Sequence, residues 1–183
     1  MAQTSFHPGV GDALWFVFIC NDPLPRTHPR RRSTQRWQHP HARGKCSVVF
    51  PAKPTLDADK TSDTYLLGEN NDKHGYVLNV GSLTNKVDLK DEEKVKGAFS
   101  AMYTKLRSSL GTKASKALQG TYGPDKYPYR YYEFDLADGV YWTRVVLTPD
   151  AIISVTVSGP KDFAQGEKAQ AFLKSLKVDA VKK

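Results

Sequence analysis

A chain of 183 residues with 39% hydrophobic content can bury one ordinary core, and a second full domain would be cramped. Its formal charge of +8 is uneven. Residues 1–45 hold seven Arg/Lys against two acids, while residues 46–183 hold 20 against 17. This places the basicity in the front segment and argues against a nucleic-acid-binding domain; no apolar run nears the roughly 18 residues that a membrane helix needs.

Residues 1–45 differ in character from the rest. They carry His7, His28, His39 and His41, five prolines and the run Arg30-Arg31-Arg32, with no apolar period after Cys20. Such a composition cannot repay the roughly 1 to 2 kcal/mol that ordering each residue costs. The segment is expected to be disordered, or foreign to the mature protein. The apolar run Ala13 to Cys20 makes no convincing signal peptide, because every positive charge follows it and none precedes it, although an extracytoplasmic location stays open. Two cysteines, Cys20 and Cys46, define neither a disulfide framework nor a zinc spacing.

From residue 46 the pattern is that of a folded domain, 46–183. Cys46 to Phe50 reads as a short β-run stopped by Pro51 and Pro54, hence an edge strand. Asp57 to Asp63 reads as a polar linker, and Thr64 to Leu67 with Gly75 to Val80 as a hairpin. Asp88 is expected to cap a helix whose apolar residues, Val95, Phe99, Met102, Leu106 and Leu110, recur at helical spacing up to Gly111. Burying those five side chains supplies about 8 to 15 kcal/mol, at about 1.5 to 3 each, which does not exceed the cost of ordering the helix. The helix must therefore pack on a sheet.

Ala117 to Tyr122 reads as another strand. Tyr127 to Gly159 then reads as an antiparallel meander: YPYRYYEFDL, VYWTRVVL and AIISVTVSG, separated only by turn signals. The middle strand is apolar on both faces, Val140, Trp142 and Val146 against Tyr141, Val145 and Leu147, as a central strand should be. The last alternates Ile153, Val155 and Val157 with Ser154, Thr156 and Ser158, which suits an edge or partial cover. Asp162 opens a second helix with Ala169, Phe172, Leu173 and Leu176 on one stripe, and the following lysines suit a solvated tail.

Three strings carry a family likeness: CSVVFPAKP at the start of the domain, YPYRYYEFDL before the meander and AFLKSLKV at the end. On these, residues 46–178 resemble the PsbP-like α/β/α sandwich group, which includes an extrinsic protein of photosystem II and a Ran-binding import factor of yeast. Leu176 stands where the family's closing helix usually has Phe. Pro128-Tyr129-Arg130-Tyr131 replaces a loop that usually reads Pro-Gly-Arg-Glu. The resemblance implies an α+β fold, an antiparallel sheet flanked by helices, and a non-enzymatic role docking to a larger protein assembly.

The residues themselves offer no catalytic constellation. The domain's one cysteine, Cys46, and one histidine, His74, lie in unrelated segments. His39 and His41 with Cys46 lack a framework to fix metal geometry, and Gly9-Val10-Gly11 lacks the third glycine of a dinucleotide fingerprint. Glu133, Asp135 and Asp138 read as a solvated strand face. No cofactor is implied. Tyrosines interleaved with arginines suit a protein interface, and the strand entry Tyr127, Tyr129, Arg130 and Tyr131 is the expected surface. A small-ligand domain or enzyme with a pocket between helix and sheet, lined by Trp142, is the alternative.

Overall fold

The structure, a computed structural model, describes residues 37–41, 46–69 and 74–179. Seven antiparallel strands form the main sheet: β3 (Thr55–Ala58), β4 (Ser62–Glu69), β5 (His74–Ser82), β6 (Lys116–Tyr122), β7 (Tyr127–Leu136), β8 (Gly139–Leu147) and β9 (Ala151–Gly159), in the order β3-β4-β5-β9-β8-β7-β6. The expected meander is present as β7-β8-β9, and the hairpin as β4-β5. A smaller sheet pairs β1 (Trp37–His41), β2 (Cys46–Phe50) and β10 (Lys177–Val178), with β2 in the middle.

The alternation of each strand divides the core between two faces. On one, Val140, Trp142 and Val146 of β8 join Tyr76, Leu78 and Val80 of β5 and Ile153, Val155 and Val157 of β9. This face is covered by β2, by α2 (Lys161–Gln165) and by α3 (Glu167–Lys174), whose Ala169, Phe172 and Leu173 are buried. On the other, α1 (Glu92–Leu110) lays Phe99 against Val145 and Leu147, and Leu106 against Tyr132 and Phe134. The whole is an α/β/α sandwich.

Several boundaries depart from expectation. The α1 cap is Asp91, whose side chain accepts from the Lys94 amide at 3.1 Å; Asp88 instead closes the preceding turn on the Lys90 amide. The second helix is broken at Gly166, whose ψ of 152° is extended, so α2 and α3 are separate. Thr55–Ala58 is a strand although all four residues are exposed; only its pairing with β4 holds it. The expected edge strand Cys46–Phe50 is interior to its sheet, because Lys177 and Val178 return to pair with Ser47 and Cys46 on one side. Trp37–His41 pairs on the other, within the segment expected to be disordered. The remainder of residues 1–45 lies outside the described residues, as do residues 180–183 of the expected solvated tail. β9 is the central strand of the seven, so its serines reflect partial cover.

Candidate interaction surface

The expected surface lies inside β7, a continuous ten-residue strand and not a loop. Its alternation separates the four residues. Tyr127 is only 3% exposed, packed in the main core, with its hydroxyl donating to Asp125 Oδ2 at 2.9 Å. Arg130 points to the opposite face, its guanidinium 4.7 Å from the centre of the Phe99 ring of α1. Tyr127 and Arg130 are thereby corrected: the first is core and the second braces α1. Tyr129 and Tyr131 remain together, half-buried at the margin of the main core.

Strand register supplies their neighbours. Tyr131 sits opposite Leu118 of β6 on one side and Arg144 of β8 on the other, and Tyr129 sits opposite Gly120. A Cβ at Gly120 would come within 2.9 Å of the Tyr129 ring, so the glycine lets that ring lie across β6. Leu118 is 47% exposed, one of two large hydrophobic side chains exposed among the described residues. Tyr122 meets Tyr129 edge-on, ring centres 6.0 Å apart.

Arg144 lies at the centre of this group. Its Cζ is 5.4 Å from the Tyr122 ring centre and 6.0 Å from that of Tyr129, and its Nη1 donates to the Leu173 carbonyl at 3.0 Å near the end of α3. Glu133, on the Tyr131 face of β7, is engaged by Lys116 Nζ at 3.0 Å. Burial first, and the Glu133 charge second, push the Tyr131 hydroxyl above the usual tyrosine range, so it stays protonated and serves as a donor.

Leu118 and Gly120 were missing from the expected surface, while Tyr122 and Arg144 belonged to the wider set of interleaved tyrosines and arginines but not to the strand entry chosen from it. The spacing Trp142-x-Arg144 puts the arginine on the Trp142 face, but its meeting with Tyr131 depends on a pairing register that one strand alone does not reveal.

The other candidates are placed as follows. Cys46 is 1% exposed and its thiol is pushed up to about 12 by burial and by Asp179, which leaves it protonated and unreactive near neutrality. His74 stacks on Phe163 of α2 at 4.1 Å. The side chains of His39 and His41, and all of Gly9-Val10-Gly11, lie outside the described residues. Among the described residues no group of three or more His, Cys, Asp or Glu is placed to hold a metal. Asp135 and Asp138 are exposed and line a cleft of about 580 Å³ beside the end of α1 and the β7–β8 turn; Trp142, 7% exposed in the core, is not among its lining residues. No described helix is long and apolar enough to cross a membrane.

No protein-family model matches the chain, and no curated protein matches it. Among solved structures, the solution structure of cyanobacterial PsbP (CyanoP) from Synechocystis sp. PCC 6803 aligns with a TM-score of 0.57 at 10% identity. The alignment covers 84% of this chain and 98% of that one. The fold is PsbP-like. At 10% identity the likeness concerns architecture, so the roles of Tyr129, Tyr131 and Arg144 on this PsbP-like frame are read from the chain's own geometry.

Proposed function

We propose that this chain is a non-catalytic accessory module that docks to another protein through the β6–β7–β8 face bearing Leu118, Tyr129, Tyr131 and Arg144. The observation that carries the reading is the grouping itself. An exposed leucine and half-buried tyrosines surround an arginine already fixed in place, and Tyr and Arg are the side chains that dominate binding energy at interfaces. Their rotamers are largely set before binding, which lowers the entropy lost on docking.

The test compares three immobilised proteins in an extract of the source cells: wild type, Leu118→Ser/Tyr131→Ala, and Arg130→Ala as a variant on the opposite face. At least one protein should be retained by wild type and Arg130→Ala and lost from the double variant. Identical recovery on all three would remove the docking assignment.

A further inference from the structure

We infer that Arg144 is a receptor for a carboxylate: it takes an aspartate or glutamate side chain from an acidic segment of the protein that docks on this face. The inference rests on the docking reading and gives it a chemistry. A half-buried guanidinium is costly unless its charge is met, and inside proteins it is usually met by a carboxylate. Arg144 has no such partner among the described residues. What it has is neutral: the Leu173 carbonyl and the faces of Tyr122 and Tyr129. These hold and orient the cation without neutralising it.

The acid on the same face of β7 is spoken for. Glu133 lies two residue pairs along β7–β8 from Arg144, yet its carboxylate is bound to Lys116. The guanidinium also keeps donors for a ligand. Nε is fully buried with no acceptor and Nη1 is tied to Leu173, which leaves Nη2 and the second N–H of Nη1 as the donors for a ligand. Two N–H groups on these nitrogens match the two oxygens of a carboxylate. Exposed Lys174 and Lys177 follow Leu173 and Leu176 in the chain, whose carbonyls accept from Arg144 and Tyr122. They add positive charge at the rim and favour an acidic segment over a neutral one.

The buried Nε gives the experiment a specific signal. Its N–H resonance in the ¹⁵N-labelled full chain is followed during titration with hexaglutamate, with hexaglutamine and inorganic phosphate as parallel probes. Hexaglutamate should move the Arg144 Nε–H signal saturably and hexaglutamine should leave it in place. Arg144→Gln should weaken hexaglutamate binding at the neighbouring tyrosine resonances about tenfold or more. A signal unmoved at high hexaglutamate, or moved further by phosphate at equal concentration, would overturn the carboxylate assignment. If Arg144→Gln fails to fold, the wild-type titration decides the matter, and Arg144→Lys, which keeps the charge and loses the fork, supplies the comparison. An unmoved signal alongside a partner still lost from Leu118→Ser/Tyr131→Ala would remove the carboxylate and leave the docking surface standing.

Discussion

Tyr127, Tyr129 and Tyr131 share one face of β7, yet only the first is sealed in the core, the other two being partly buried against it. The alternation that splits these tyrosines from Arg130 and Tyr132 is legible in the sequence: a strand sends neighbours to opposite faces. Taking Tyr127, Tyr129, Arg130 and Tyr131 together as one surface overlooked it. Arg144 and Gly120 were illegible for a different reason, since their meeting with Tyr131 and Tyr129 is fixed by inter-strand register. Cys46 illustrates a residue whose chemistry is set by packing. Its folded pKa of about 12 exceeds the reference 9.0, so the unfolded chain loses the proton first. The stability this contributes is therefore complete below pH 9 and drains away as pH rises toward 12, at up to about 1.4 kcal/mol per pH unit. Urea unfolding between pH 8.5 and 10, before most tyrosines ionise, should show a falling midpoint in wild type and a flatter one in Cys46→Ala. Equal slopes in the two proteins would show that the thiol is not protected as the structure has it.

Helix α1 was the most legible element, and its apolar stripe is buried as spaced: Phe99 and Leu106 fully, Val95, Met102 and Leu110 in part. Its start was misread by three residues because Asp88 and Asp91 both satisfy the sequence signature of a cap, and only the bond to the Lys94 amide distinguishes them. β3 and β10 were illegible since neither has a buried apolar period of its own; each is ordered by its partner strand. Two glycines, one inside α1 and one capping its end, give opposed expectations from one chemical change. Gly97 is exposed within the helix, with nothing within 4 Å of an added Cβ, so Gly97→Ala should stabilise the protein by about 0.5 to 1 kcal/mol through the unfolded chain. Gly111 has the same open space but a φ of 68°, so Gly111→Ala should destabilise it by about 1 to 2 kcal/mol. Thermal melts of the two variants should move in opposite directions; a shift of the same sign would deny the left-handed stop.

At the scale of the molecule, the sandwich is closed by its two ends: β2 opens the domain and β10 returns to pair with it, so the main core cluster runs from Cys46 to Val178. This closure was not visible in the sequence, where the last lysines read as a tail. It bears directly on where the folding unit begins. Every described core residue lies at or beyond Cys46, and β2 takes support from the C-terminal side independently of β1, through β10 and through the Val49 amide donating to Ser175 Oγ at 2.9 Å. A chain starting at Lys45 should therefore unfold in one cooperative transition, as an intact core requires. It would nevertheless lose β1, leaving β2 as an edge with one side of its backbone unpaired. Amide exchange should accordingly speed up at the β2 groups that face β1, while the amides of β5, β8 and β9 keep their protection. Loss of the cooperative transition would instead place part of residues 1–44 within the folding unit. Unchanged exchange along β2 would mean that the Trp37–His41 pairing adds nothing to it.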